Sequence, residues 1–471
     1  MKNKSCSPFK TKTTRKTLDL TEGSLFKNIL LFSLPLMLSN VLQVLFNISD
    51  IAVVGRFAGS AALGSVGSTA ICVALFTGIL IGIGSGVNSL IAKHLGAGED
   101  DEVADASRAS AAVSLAIGII ISALGIGLSK PILLLLNTKE ELLDNAVLYV
   151  RIYFCGMPAL AVYNFGNGVL SADGDTKRPL IFLSVAGVIN ILLNLLFVIV
   201  FKMSVAGVAL ASIISQYLSA SFIIISLFRT KRAYRLRLRG GKISGEKVKR
   251  VLMLGLPAGF QNAIFSAANL FIQAGVNSFD TVMVEGNSAA ANADAVIYDI
   301  MAAFYTACTS FMAQNLGAGK KDRLLKCFFV SLIYSFGVGA VCSTVLVLCG
   351  KYFLAIFTTE QAVIDAGMKR LTIMGFSYAF SAFMDTPIAA ARGLGKTVIP
   401  TILVIMGSCV FRIIWIYTVF AYFKSIPSLY LLYIFSWMIT AVTEIIYFII
   451  IYKKAIKHTE VDQVPANNMP I

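Results

Sequence analysis

The sequence predicts an all-α membrane protein, with twelve transmembrane helices in two six-helix bundles related by a pseudo-two-fold axis along the membrane normal. Three observations lead there. The 471 residues are 57% hydrophobic and only 14% charged, with a mean hydropathy of +0.79, whereas soluble domains carry roughly 25% charge. Apolar stretches long enough to span lipid recur twelve times. Twelve helices of about 20 residues need roughly 240 residues, which leaves room for short connections but not for a sizeable soluble domain. Finally, the second half of the chain repeats landmarks of the first.

Bounded by charges or turn residues, the stretches run 27–55, 61–92, 107–129, 143–170, 180–201, 205–228, 247–276, 287–315, 326–349, 366–391, 398–423 and 428–452. The first 24 residues are polar and basic and lack the apolar core of a cleavable signal, so the first span is expected to act as its own insertion signal. Lys and Arg gather between the stretches. With the N-terminus in the cytoplasm and the loops alternating sides, thirty of the forty Lys and Arg fall on the cytoplasmic side and six on the other (Arg56, Lys130, Lys139, Lys202, Lys351 and Lys424). Positive charge is retained inside, so both termini are expected in the cytoplasm, the membrane being a bacterial inner or plasma membrane. The net charge of +15 is then a topology signal and not a nucleic-acid footprint. The eight cysteines form no close pair of zinc-site spacing, and most lie inside apolar stretches, as packed thiols do.

The longest hydrophilic segment follows the sixth stretch. It divides the chain into a tail (1–24), an N-terminal bundle (25–228), an interbundle linker (229–246), a C-terminal bundle (247–452) and a second tail (453–471). Ser33-Leu34-Pro35 with Asn40 and Asn47 recurs 222 residues on as Gly255-Leu256-Pro257 with Asn262 and Asn269. Ala92 to Gly98 recurs at 221 as Ala313 to Gly319, and Gly174 with Pro179 as Gly395 with Pro400. An even number of spans per repeat gives both halves one orientation, and a cavity between two such bundles is the natural binding site.

Taken with these repeats, Glu22-Gly23, the run Asn47-Ile-Ser-Asp50-Ile-Ala-Val-Val-Gly55-Arg56, Gly174-Asp175-Thr176-Lys177 and Gln314-Asn315-Leu316-Gly317-Ala318-Gly319-Lys320 resemble the multidrug and toxic compound extrusion (MATE) family over residues 20 to 455. The resemblance implies cation-coupled export of small, often cationic, compounds by alternating access of two six-helix bundles. It also aligns Asp50 with the first-helix aspartate that takes up the coupling proton or Na+ in that family.

Charges inside spans cost about 2.5–3.5 kcal/mol even on insertion scales, so each one is a functional candidate. Asn40, Gln43, Asn47 and Asp50 are spaced three, four and three apart, which at 3.6 residues per turn confines them to one stripe of the first helix. Such a stripe faces a cavity or another helix, and the amides either bind cargo or bond neighbouring helices. Asn190 and Asn194 stack four apart on the fifth helix. One subgroup of the family carries an aspartate at the second of these positions, so its proton relay through the pair lacks a carboxylate here. The two amides either join Asp50 in holding a cation or bond each other. On the seventh helix Asn262, Ser266, Asn269 and Gln273 form a polar wall, without the glutamate that another subgroup places near 260–265.

Asp294, Tyr298 and Tyr305 share a face of the eighth helix, which is either a seat for a lipophilic cation or one end of an internal ion pair. Asp385 and Arg412 are candidates for a mutual intramembrane pair with a structural or gating part. Asp299 is rotated away and reads as structural, and Glu444 has only Thr443 as an evident neighbour.

The function expected is secondary active multidrug export, exchanging small cationic or neutral compounds for H+ or Na+. No cofactor is expected, the partners are small-molecule substrates and the bilayer but no nucleic acid, and the chain acts as a monomer. The alternatives are a lipid-linked precursor flippase of a related superfamily, whose cavity would be basic, and a membrane receptor or channel. Two histidines, neither within a stretch, do not furnish an enzyme.

Overall fold

A computed structural model describes residues 17–237 and 243–461. Much of the two expected tails, and 238–242 of the expected linker, therefore lie outside the described residues. The helices are α1 (Leu25–Phe57), α2 (Ser60–Ala97), α3 (Asp100–Leu135), α4 (Glu140–Phe154 and Met157–Ala172), α5 (Lys177–Val200) and α6 (Ser204–Arg229) in the first half. The second half has α7 (Gly245–Val276), α8 (Thr281–Gly317), α9 (Lys321–Leu354), α10 (Gln361–Gly393), α11 (Val398–Phe423) and α12 (Ile426–Val461). Each matches one predicted stretch, and most run a few residues further at the loop ends.

Ten are long and apolar enough to cross a bilayer as single helices, and α4 makes an eleventh, bent by 46° at Cys155 and Gly156 just before Pro158. The last, α10, brings Asp365, Lys369, Arg370, Asp385 and Arg392 into a 33-residue helix. Leu135, Leu192, Val341, Leu348 and Met406 stand largely exposed, an apolar girdle that lipid and not water covers. The protein is thus a twelve-helix transmembrane protein of two bundles.

The repeated motifs are helix ends. Gly98 and Gly319 (φ +70° and +67°) close α2 and α8, and the Gly98 amide turns back to the carbonyls of His94 and Leu95, the left-handed cap that glycine adopts without penalty. A π-helical stretch likewise recurs, at Leu196–Val200 in α5 and Ile416–Phe420 in α11.

The bundles meet along a seam in one half of the molecule, the half that carries the start of α1, the 230–237 segment and the end of α12. There α2 and α7 touch backbone to backbone: a Cβ on Gly82 would lie 2.1 Å from the Gly259 amide nitrogen, and one on Gly86 2.6 Å from that of Gly255. Small residues four apart let helices approach this closely in lipid. Leu25, Ile29 and Phe32 of α1 join Phe304, Phe311 and Met312 of α8 in one core.

Among the described residues every hydrogen bond between bundles lies in this half, with Asn40 to the Asp299 carbonyl (2.8 Å) and Asn262 to the Gly78 carbonyl (3.2 Å) at mid-helix. Beyond them Gln43, Asn47 and Asn269 are exposed, so the bundles splay apart and a cleft opens at the other end.

Two features fasten the closed end. The first is a strap, Thr17–Gly23, laid across both bundles. Leu20 is fully buried, and Asn315 bonds its carbonyl at 3.0 Å. Lys320 reaches the Thr21 carbonyl at 2.9 Å, Arg323 the Gly23 carbonyl at 3.0 Å, and Arg232 the Thr17 hydroxyl at 2.7 Å. The second is Lys247 at the start of α7, buried, bonded to Glu102 of α3 and 3.5 Å from His94 Nε2 of α2. The Lys247 ammonium holds the Glu102 carboxyl below its usual range.

The described part of the linker is not a free loop. Tyr234 is fully buried against the first bundle, its hydroxyl donating to Asp173 at 3.0 Å and its carbonyl accepting from Ser107 at 3.2 Å. One aromatic ring in a basic stretch makes that anchor, and burial pushes the Asp173 carboxyl up to about 6 despite nearby Arg232.

Candidate functional site

Asp50 lies in the splayed half of the first bundle, where α1, α5 and α6 converge. Phe46, one turn earlier on α1, packs onto α5 at Gly187, where a Cβ would lie 1.9 Å from the ring; the missing side chain lets the helices close around the carboxylate. Asn194 Nδ2 of α5 donates to Asp50 Oδ1 and, at 3.3 Å, to Asn190 Oδ1. Ser212 Oγ of α6 donates to Asp50 Oδ2 at 3.3 Å.

The structure thus brings Asp50, Asn190 and Asn194 together. It adds Ser212, which no spacing on its own helix marks out. Asn47, predicted to belong to this group, is exposed one turn away and has no side-chain bond among the described residues.

All of the Asp50 hydrogen-bonding partners are neutral, and no Lys or Arg forms an ion pair with it among the described residues. Asn194 is fully buried, with Oδ1 unpartnered. A carboxylate so enclosed has neither full hydration nor a counter-charge, and an orphan amide oxygen stands beside it. A proton on the carboxylate, or a small oxygen-seeking cation between the two, supplies what is missing.

The second bundle decides one alternative and corrects one expectation. Asp294, a cation seat or one end of an internal ion pair by sequence, is the latter: Arg370 of α10 reaches Asp294 Oδ2 through Nε at 3.0 Å and Nη2 at 2.5 Å, and Asn287 Oδ1 through Nη1 at 2.6 Å. The guanidinium also lies 5.1 Å from the Tyr430 ring centroid and 5.7 Å from that of Tyr433. Arg370 lies nine residues into α10 and is itself buried.

Asp385 and Arg412 do not pair. Asp385 accepts from the Tyr298 hydroxyl at 3.2 Å. Arg412 is buried on Ser436 (3.2 Å) and Asn269 (3.4 Å), with its guanidinium 4.6 Å from the Tyr433 ring centroid. Tyr298 is therefore tied to Asp385 and not to Asp294.

The pair at Asp294 gives a stability prediction. Removing one partner of a buried ion pair costs about 3–5 kcal/mol because the other charge is stranded. Arg370→Ala should lower the thermal unfolding temperature sharply, whereas Arg370→Gln combined with Asp294→Asn should recover most of the loss. Equal loss in both variants would show that packing and not charge is at stake.

Of the remaining predicted residues, Asn40 and Asn262 span the seam at mid-helix, and Gln43 bonds only its own helix, to the Ser39 carbonyl at 3.4 Å. Asp299 supplies a backbone carbonyl to the seam. The cleft walls thus offer Gln43, Asn47 and Asn269 as exposed amides, with Asp50 half-buried behind them.

Comparison with known proteins places this geometry in context. The MatE family model matches residues 35–196 and 257–418, two segments 222 residues apart, the interval read from the sequence repeat. The probable multidrug resistance protein YpnP of Bacillus subtilis is 33% identical over 78% of this chain and 82% of its own length. A FAD transporter of Shewanella oneidensis is 24% identical over 72% of this chain and 75% of its length. Among solved structures, an outward-facing multidrug resistance MATE family transporter of the MOP superfamily superposes with a TM-score of 0.87 at 21% identity, over 95% of this chain and all of that one.

Proposed function

Since the chain belongs to the MatE family, we propose that it is a secondary active exporter that exchanges small cationic or neutral organic compounds for H+ or Na+ by alternating access. The observation that carries the coupling is Asp50, a carboxylate in an apolar helix bundle with three neutral neighbours and no counter-charge. A cation taken up from the cleft neutralises it, and the bundle can then close without enclosing a bare charge. Cargo and cation that favour opposite conformations exchange for one another, which is the linkage antiport requires.

The seam supports the conformational part. Among the described residues the hydrogen bonds between bundles are confined to one half, and we read that half as a gate now shut. With the termini in the cytoplasm of a bacterial cell, as the thirty-to-six distribution of positive charge favours, the open cleft faces outward. Asp294 is neutralised by Arg370, so of the two acids expected to meet cationic cargo Asp50 is the one left to attract it. Arg370 and Arg412 turn into the second bundle, which disfavours the basic cavity of a flippase. The family is one of transporters, and the chain is read as a carrier and not an enzyme, working as a monomer.

Ethidium efflux from proteoliposomes under separately imposed proton and sodium gradients tests this reading. Efflux driven by one gradient and not the other identifies the ion. Absence of efflux under both, or inhibition by an anionic dinucleotide such as FAD with none by lipophilic cations, would move the protein to anionic cargo.

A further inference from the structure

Glu444 lies at the middle of α12, fully buried, with neither carboxylate oxygen hydrogen-bonded. Arg392, in the last turn of α10, is within electrostatic reach of both Glu444 and Asp385 yet forms an ion pair with neither among the described residues. Arg392 instead crosses the seam: Nη1 donates to Ser85 Oγ of α2 at 3.1 Å, and its carbonyl accepts from Ser89 Oγ of α2 at 2.7 Å. Its Nε is buried without a partner, as is Asp385 Oδ2.

One cation thus stands between the Ser85 hydroxyl on the opposite bundle and a pair of acids on its own. We propose that Glu444 is a second proton-binding site of this chain, and that Arg392 leaves α2 for the ionised Glu444 when the seam opens.

An unpaired ionised carboxylate at a fully buried position inside the bundle is far costlier than the neutral acid, so the closed seam suits the protonated form. When α2 withdraws, the Arg392 guanidinium loses Ser85, and with its Nε already buried and unpartnered it must find another acceptor. The Glu444 O–H bond then breaks, its proton passes to water entering at the opened end, and the carboxylate accepts from Arg392. Proton binding and seam closure therefore favour each other.

The surrounding groups leave this exchange to one pair. From α10 come Arg392 and Asp385, and Asp385 is held by Tyr298 of α8. Tyr298 and Tyr305 of α8 also lie near Arg392, and Tyr447 of α12 lies beside Glu444. Helix α9 meets α12 through Phe328 on Phe448, and α11 through Ser408 on Thr440. Arg412 of α11 is engaged by Ser436 and by Asn269 of α7.

The proposal rests on the alternating-access reading but not on Asp50 as the coupling site, so it is tested in an Asp50→Asn background. Spin labels introduced by unnatural amino acids at the exposed positions 101 and 396, on opposite bundles at the closed end, report seam opening by electron–electron distance measurement in nanodiscs. Raising pH from about 5 to about 9 should increase the long-distance population by a factor of about 5 or more. Glu444→Gln, an isosteric change that keeps the neutral form, should abolish that increase and leave the short distance. Ser85→Ala should raise the long-distance population when Glu444 is present and much less in Glu444→Gln, a non-additivity that a merely structural role does not produce. An unchanged pH response in Glu444→Gln overturns this inference alone. A single distance under all conditions, including added ethidium, overturns both it and the alternating-access reading.

Discussion

Asp50→Asn is expected to give a folded, membrane-inserted protein whose efflux responds far less to the cation gradient. Asparagine keeps the Oδ1 acceptor for Asn194 and turns the other terminus into a donor toward Ser212, which can accept, so the network survives. What disappears is the capacity to carry and release a charge. Coupling free energies of about 1–3 kcal/mol correspond to roughly 5–150-fold changes in affinity, and gradient-driven ethidium efflux should fall by a factor of that order while ethidium binding persists. Thermal stability should hold or rise, because an uncompensated carboxylate has been removed. Asn194→Leu removes the donor yet leaves the charge, and should weaken cation binding and stability together. Full coupled efflux by folded Asp50→Asn would eliminate Asp50 as the coupling site and turn attention to Glu444 and Asp385.

Gly82→Val should be as damaging, although the position bears no chemistry. Any side chain there meets the backbone of Gly259 at 2.1–2.3 Å, and no rotamer relieves a clash of main chain with Cβ. The helices must separate, which opens the seam and destabilises the closed conformer specifically. Overpacking costs about 1–3 kcal/mol, a shift of roughly 5–150-fold in the balance of the two conformers. The expected result is near-loss of efflux in a protein that still inserts and unfolds cooperatively, with the 101–396 distance lengthened. Gly67→Val on the same helix, where a Cβ meets nothing within 4 Å, serves as control and should export normally. Normal export by Gly82→Val would mean that the α2–α7 contact plays no part in the cycle.

Where these features were legible in the sequence, the reason is periodicity. Span number, repeat offset and helix-capping glycines are local or repeated properties, and the Asp50, Asn190 and Asn194 group emerged because three- and four-residue spacings fix a helix face. Partner choice was not legible. Asp294 takes Arg370 and not a ligand, and Asp385 takes Tyr298 and not Arg412, because pairing depends on how far each helix is rotated and slid against the next. Ser212 and Ser85 were hidden for another reason: an apolar span tolerates many serines bonded to their own helix, as Ser215 is to the Ser212 carbonyl. The four-residue spacing of Gly78, Gly82 and Gly86 is visible in the chain, but the helix that meets it is not.

The strap across the closed end also sets an order of assembly. Leu20 leaves the ribosome early, yet its partner Asn315 follows 295 residues later, and at about 5–20 residues per second the wait is roughly 15–60 s. Throughout that interval the segment around Leu20 has no second bundle to hold, so the first six helices enter the bilayer unfastened. Only when the end of α8 emerges can the earliest-made residues be drawn across the newest. The strap is therefore fastened late in biosynthesis, and a nascent chain stalled before Asn315 lacks the bonds that hold it across the two bundles.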